Sequence, residues 1–394
     1  MYNIRTLNNI SQKGLKKFTE NEFKISDQME NPDGILLRSF DMHQMEIPES
    51  VKCIGRAGAG TNNIPVDECS KRGIVVFNTP GGNANAVKEL VITGLLLTSR
   101  KIPQGIEWVK TLKDCEGSIG KATEAGKKQF VGPEIQGKTL GVIGLGAIGV
   151  LVANVAYKLG MDVIGYDPYL SIDAAWNLSS HVHKASSIEE LVSKSDYITI
   201  HVPLTDETKH TFNKELFTKV KKGARLLNYA RGELVETEAV IEALSNGTLS
   251  AYATDFPMKE LVGLDNVITT PHIGASTPES EDNCAEMASS ELINFLKYGI
   301  IKNSVNFPNC DIPYTGKTRI SIANKNVPNM IGSISAVFAK ENLNIDNMIN
   351  KSKGMWAYTL IDTDNIDGKA ESIIEELKKI DGVVSARIVI KEGE

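Results

Sequence analysis

Two sets of residues could do chemistry. The first is Gly144-x-Gly146-x-x-Gly149 within "VIGLGAIG", which begins at Val142. It follows an apolar, strand-like run and opens a helical one. Asp167 stands about 20 residues further on, where a second strand-like run ends. Gly144 permits a tight turn, Gly146 lets a pyrophosphate approach the backbone, and Gly149 lets helix and strand pack closely. Ala147 and Ile148 start the helix, whose free N–H groups and positive dipole end favour phosphates. The Asp167 carboxylate suits two ribose hydroxyls and would repel a 2′-phosphate. No arginine follows in "DPYLSID". The pattern predicts a dinucleotide site for NAD rather than NADP. The competing reading is a set of packing glycines beside a turn aspartate.

The second set could act on the other reactant. Hydride transfer at an alcohol carbon needs a group for the hydroxyl proton, a neighbour that tunes it, and a cation that polarises the carbonyl. His272, Glu260 and Arg231 supply one of each, near the ends of strand-like runs in "TPHIGAST", "TDFPMKE" and "NYARG". A carboxylate beside an imidazole favours its charged form and keeps proton exchange near neutrality. Singly, each residue also fits a structural ion pair or a loop. His181 and His183 are spaced like metal ligands, but no third ligand accompanies them, and no metal is expected.

These residues need elements to hold them. "DGILLRSF", "VKCIGRAG" and "GIVVFNTP" read as buried strands, and "VDECSKRG" as a helix closed by Gly73. A long helical pattern covers about 84–102. "KDCEGSIGKATEAGKK" is poor in apolar residues and reads as a surface loop. From Lys138 onward, strand and helix patterns alternate through "KTLGVIG", "MDVIGYD", "DYITIHVPL", "ARLLNYAR", "SAYATDF" and "NVITTPHI", giving six or seven strands of a doubly wound sheet. A long amphipathic helix follows in "PESEDNCAEMASSELINFLKYG". "VNFPNCDIPYTG" reads as a linker, and the remainder as βαββαβ. There Met330, Ile334, Val337 and Phe338 share one helical face, as do Ile373, Ile374 and Leu377.

The chain has 394 residues, 41% hydrophobic and 23% charged, with a formal net charge of −6. The acidic balance and the lack of a basic cluster argue against nucleic acid. No apolar run approaches a membrane span, and "MYNIRTLNNISQKG" lacks the apolar core of a signal peptide. Five scattered cysteines without C-x-x-C suggest neither a disulfide framework nor a zinc knuckle. A cytoplasmic setting is expected.

In order along the chain, "GRAGAGTNN", "NTPGGNA", "GKTLGVIGLGAIG", "GYDP", "HVPLTDET", "NYARGELVE" and "PHIGAST" resemble the D-isomer-specific 2-hydroxyacid dehydrogenases. Within that family they resemble the branch acting on a phosphorylated glycerate. The resemblance implies a Rossmann-type nucleotide domain (96–283) inserted into a flavodoxin-like substrate domain (1–95 and 284–310). The tail (317–394) resembles an ACT module of ferredoxin-like α+β fold.

The implied activity is NAD-dependent oxidation of 3-phospho-D-glycerate to its 2-oxo acid, at the start of serine synthesis. Another D-2-hydroxyacid dehydrogenase, acting on hydroxypyruvate, glyoxylate or lactate, and a non-catalytic NAD or amino-acid sensor, are the alternatives. His272 becomes the acid/base, Glu260 its partner, and Arg231 the carboxylate and carbonyl ligand. In this sequence "ELVGLDN" after Glu260 is shorter than the family's usual loop and lacks its proline. Val202, Pro203, Ala230, Asp255, Gly274 and Ala275 join the cofactor set. Arg38, Ser39, Arg56, Gly58 and Lys127 form the substrate set, its arginines facing the phosphate across a cleft. The tail resemblance implies L-serine as effector, held by Asn324, Asn326 and Asn344 at a seam between subunits of a homo-oligomer, a dimer or tetramer.

Overall fold

The structure, a computed structural model, describes residues 1–114, 117–315, 317–366 and 368–391. Cys115 lies outside them. The chain forms two compact units. One comprises Met1–Asn83 and Pro278–Glu394; the other is the intervening Ala84–Thr277.

The first unit begins with β1 (Tyr2–Leu7), α1 (Gln12–Leu15), β2 (Phe23–Ser26), β3 (Gly34–Leu37), β4 (Cys53–Arg56), α2 (Val66–Lys71) and β5 (Val75–Phe77). The strands pair in parallel in the order β2-β1-β3-β4-β5, the flavodoxin-like arrangement. β3 and β5 are buried along their whole length, as befits parallel strands covered on both faces. Gly73, in the left-handed region at φ +71°, follows α2 and turns the chain into β5.

The second unit opens with α3 (Ala84–Ser99), α4 (Ile102–Thr111) and α5 (Ile119–Gly126). The region expected to be a surface loop is thus partly helical, although α5 buries no residue. Then come β6 (Thr139–Ile143), α6 (Ala147–Lys158), β7 (Asp162–Tyr166), α7 (Ile172–Asn177), β8 (His183–Lys184), α8 (Ile188–Lys194) and β9 (Tyr197–Ile200). α9 (Lys214–Phe217), β10 (Ala224–Asn228), α10 (Thr237–Ser245), β11 (Leu249–Thr254) and β12 (Val267–Thr269) complete it. The seven parallel strands run β12-β11-β10-β9-β6-β7-β8. The order reverses between β6 and β9, which makes their carboxyl ends the ligand crevice of a Rossmann sheet.

α3 packs its Val87, Val91 and Leu95 with Leu140, Val142 and Ala153. The helix therefore belongs whole to the second unit, and the first boundary falls at Asn83/Ala84 rather than near residue 96. The return boundary falls at Thr277/Pro278 rather than 283/284, because α11 (Pro278–Tyr298) is one continuous helix.

The tail adds β13 (Thr318–Lys325), α12 (Met330–Lys340), β14 (Ile345–Lys353), β15 (Trp356–Thr363), α13 (Ala370–Lys379) and β16 (Val383–Lys391). Its antiparallel order, β14-β15-β13-β16, with two helices on one face, is ferredoxin-like. Ile320, Ile322, Met330, Ile334, Phe338, Ile373 and Leu377 form the core between sheet and helices. The opposite face does not stand alone. Ala323, Tyr358 and Leu360 pack into the cluster of Phe295, Leu296 and Phe307, which binds the tail to α11 and places it in the first unit. Among the described residues, no helix is long and apolar enough to cross a membrane.

Candidate active site

The three glycines of the loop after β6 do three different things. Gly144 has φ +87°, and a Cβ there would meet the His201 carbonyl oxygen at 2.7 Å. Gly149 admits no side chain, since its Cβ would stand 1.9 Å from the Gly144 oxygen. A Cβ on Gly146 would project into open space. The protein's own packing does not require glycine at 146, and the open space there would admit a pyrophosphate. It caps α6 without any side-chain hydrogen bond, leaving the N–H groups of Ala147 and Ile148 for an anion.

Asp167 holds this loop from the end of β7. Its Oδ2 accepts the Leu145 N–H at 2.8 Å and its Oδ1 the Tyr169 N–H at 2.8 Å. The two bonds hold the carboxylate in a fixed orientation. Val202 is half-buried and Pro203 exposed just after β9. Beside them the His201 ring bonds the Thr199 hydroxyl at 3.0 Å through Nε2, while its buried Nδ1 has no partner. Burial pushes the His201 imidazole down to about 3, so it is neutral and fits no acid/base role near pH 7.

Arg231, Glu260 and His272 lie on the loops after β10, β11 and β12. Asn228, fully buried at the end of β10, accepts the Ala230 N–H at 3.2 Å and donates to the Arg231 carbonyl at 2.8 Å. This fixes the backbone of Arg231, whose exposed side chain donates to the Ala230 carbonyl at 2.7 Å. His272 is exposed and has φ +54°, uncommon for a non-glycine residue. Asp255 imposes that conformation. Its carboxylate accepts Thr270 Oγ1 at 2.6 Å, the Ile273 N–H at 3.0 Å and the Gly274 N–H at 2.8 Å. The Phe256 ring lies 5.0 Å from the His272 ring.

Glu260 sits exposed on the turn after Phe256. Among the described contacts, none joins it to His272. Ala275 is half-buried beyond the histidine turn. Asn228, Thr270 and Phe256 escaped the sequence reading. Their signal was adjacency to the motifs, which spacing alone does not separate from filler.

In the first unit Arg38 is not free. It pairs with Glu281 on α11 at 2.6 Å, a partner remote in sequence. The Arg56 Nε donates to the Arg38 carbonyl at 3.1 Å. The Arg56 guanidinium lies across Gly58, where a Cβ would stand 1.8 Å from Nη1. Ser39 is exposed. In the second unit Lys127 pairs with Glu124 one turn away and shares an apolar groove with Trp108 and Phe130. It makes no described contact with Arg231 or His272.

The three asparagines of the tail do not gather within one copy. Asn324 is buried beside Ala357, with its Oδ1 unpartnered; Asn326 donates to the Gly354 carbonyl at 3.2 Å. Asn344 stands at the other end of β15, where its carbonyl accepts the Thr363 hydroxyl at 2.6 Å and its amide bonds Asp346 at 3.0 Å. About six strand residues, roughly 20 Å, separate the two places. Among the described residues, no three or more His, Cys, Asp or Glu side chains group as metal ligands.

Residues 92–274 match the D-isomer specific 2-hydroxyacid dehydrogenase, NAD binding domain. A D-3-phosphoglycerate dehydrogenase of Methanocaldococcus jannaschii is 37% identical over 305 residues, covering 75% of this chain and 56% of that protein. One of Bacillus subtilis is 35% identical over 326 residues, covering 78% and 59%. The chain thus spans little more than half the length of these relatives. Among solved structures, an NAD+-bound 3-phosphoglycerate dehydrogenase of Entamoeba histolytica aligns with TM-score 0.59 and 29% identity, covering 77% of this chain and 98% of that one.

Proposed function

We propose that the protein oxidises 3-phospho-D-glycerate to 3-phosphohydroxypyruvate, the first step of L-serine synthesis, with NAD as cofactor. The observation that carries this reading is the Asp255-held turn. It presents His272 in a constrained backbone conformation on the same sheet as the glycine loop. The relatives of that name supply the substrate.

Gly144, Gly146, Ala147, Ile148, Gly149 and Asp167 hold the nucleotide. Val202, Pro203, Ala230 and Ala275 line its path. Bound NAD supplies the hydride acceptor. His272 takes the C2 hydroxyl proton as the alcohol becomes a carbonyl. Arg231 binds the substrate carboxylate and polarises the new carbonyl oxygen. Glu260 is the carboxylate that steadies the charged imidazole, so its turn must bring it to His272 when substrate binds. Arg38, Ser39, Arg56, Gly58 and Lys127 form the substrate set, with Arg56 as its principal phosphate ligand.

Four free, buried cysteines (Cys53, Cys69, Cys284 and Cys310) support a reducing cytoplasm. We assign the five-stranded unit to substrate binding and the tail to regulation by L-serine within a homo-oligomer. A serine site built from Asn324, Asn326 and Asn344 needs Asn344 from a second copy, because one copy holds it at the wrong end of the sheet.

The ion pair between Arg38 and Glu281 favours a second reading. With Arg38 neutralised, the site suits an unphosphorylated 2-oxo acid such as hydroxypyruvate or glyoxylate. An NADH-oxidation assay decides. Phosphohydroxypyruvate should exceed hydroxypyruvate in kcat/KM, and His272→Ala should lower turnover by about 10²–10⁴-fold with NADH affinity kept. Preference for hydroxypyruvate establishes the second reading; near-normal turnover of the variant removes His272 from the chemistry.

A further inference from the structure

Between α10 and the turn that carries Glu260 lies a cavity of about 410 Å³ within the second unit. None of its lining residues belongs to the nucleotide or acid/base set. Val235, Val240, Phe256, Met258 and Leu261 make its walls apolar. One wall is rigid, because His210 N bonds the Glu233 carbonyl at 2.8 Å, Phe212 N the Leu234 carbonyl at 3.0 Å, and Glu236 N the Phe212 carbonyl at 2.9 Å. The facing wall is a turn. It is closed by Leu261 N to the Met258 carbonyl at 2.9 Å and pinned by the buried Leu261 side chain.

The lining carries one carboxylate, Glu233, and one imidazole, His210. Glu233 is exposed at the rim and has no ion pair among the described contacts, and the lining contains no lysine or arginine. Glu236 and Glu238 follow it in sequence. The size suits a small ligand with an apolar body, and the charge suits a cation.

We propose that this cavity is a binding site for a small primary amine with an apolar or aromatic body, its ammonium on Glu233 and its body against Phe256 and Met258. The position gives such a ligand leverage on turnover. Phe256 also touches the His272 ring, Met258 and Leu261 lie within two residues of Glu260 on the same turn, and Gly232 follows Arg231. An occupant that displaces the Met258 turn moves Glu260 without touching the glycine loop.

The test uses phenethylamine and phenylacetate, which share a ring and differ in charge, titrated into the full chain by calorimetry. Phenethylamine should bind saturably and phenylacetate should not. Glu233→Gln should weaken amine binding by about tenfold. Thr237→Trp, which puts a large side chain into the lining, should abolish it while NADH still binds. The amine should change kcat and leave NADH affinity unaltered. Absence of heat at about 10 mM amine, a value corresponding to no useful affinity, overturns the site. So does equal binding of phenylacetate, or amine binding unchanged in Glu233→Gln. Amine binding with unaltered kcat overturns the leverage. Calorimetry does not depend on the substrate assignment, so an inactive protein with this substrate leaves the test intact.

Discussion

The Asp255 carboxylate accepts the Gly274 backbone N–H at 2.8 Å, tying the end of β11 to the turn that carries His272. Asp255 is 1% exposed, and its three bonds occupy both oxygens. Asp255→Asn keeps one oxygen and turns an amide donor toward another donor. We expect kcat to fall by about 10²-fold or more, the scale of misplacing a reacting group by about 1 Å. Circular dichroism should show a folded chain. Unchanged kcat would mean that the turn holds His272 without Asp255.

The glycine loop offers a cleaner separation of folding from binding. Gly149→Ala drives a Cβ onto the Gly144 oxygen, whereas the Cβ of Gly146→Ala meets nothing. The first variant should lose thermal stability. The second should melt like the parent yet bind NADH more weakly, because its methyl group fills the space a pyrophosphate needs. Thermal melts with and without NADH check both. Normal NADH binding by Gly146→Ala would move the nucleotide off this loop.

Much of this was legible in sequence because glycine positions and buried strands leave strong patterns. Parallel strands such as β6 read as apolar runs, and β3, β4 and β5 of the first sheet and six strands of the second followed from such runs. β1 and β2 were not read, since "YNIRTL" and "FKIS" mix polar residues into half-buried strands. α5 looked like loop because nothing in it is buried. Pairings across long sequence distances were invisible. The Arg38–Glu281 pair and the separation of Asn344 from Asn324 depend on register and helix placement, which motif spacing does not encode. The sequence offered Asp255 only as a member of the expected cofactor set. Its hold on the His272 turn was not legible there.

Glu291 on α11 predicts a pH effect. It is buried, its Oε1 accepts the Asn303 amide at 2.8 Å, and its Oε2 has no partner. Burial pushes its carboxyl up to about 8. The unfolded carboxyl titrates near about 4.3. Between those values the folded chain holds a proton that the unfolded chain has released, so stability falls as pH rises through the window and levels off above it. Glu291→Gln keeps the Asn303 bond and cannot ionise. Its Tm should match the parent's near about pH 5 and exceed it by a few degrees near about pH 8–9. Parallel Tm curves for the two proteins would refute the assignment.

The last prediction concerns how the tail is fastened. Arg319 on β13 and Asp362 on β15 are 1% and 0% exposed and meet at 2.6 and 2.8 Å through two bonds. Arg319 also reaches the Tyr298 carbonyl at 3.3 Å and the Ile312 carbonyl at 3.2 Å. Arg387 donates to the Leu296 carbonyl at 3.2 Å and to that of Phe295, and the Tyr358 hydroxyl to that of Gly299 at 2.8 Å. Side chains of the tail thus satisfy the carbonyls that end α11, a cationic cap on the negative end of a helix dipole. Removing one member of a buried pair strands the other charge, at a cost of about 3–5 kcal/mol. Asp362→Ala should therefore lower the melting temperature of the first unit and expose the linker 308–315 to protease. NADH affinity should hold, because the glycine loop belongs to the other unit. Replacing both residues with apolar ones should recover part of the loss, since no buried charge is then left alone. A single variant that melts like the parent would show that packing of Ala323, Tyr358 and Leu360 alone fastens the tail.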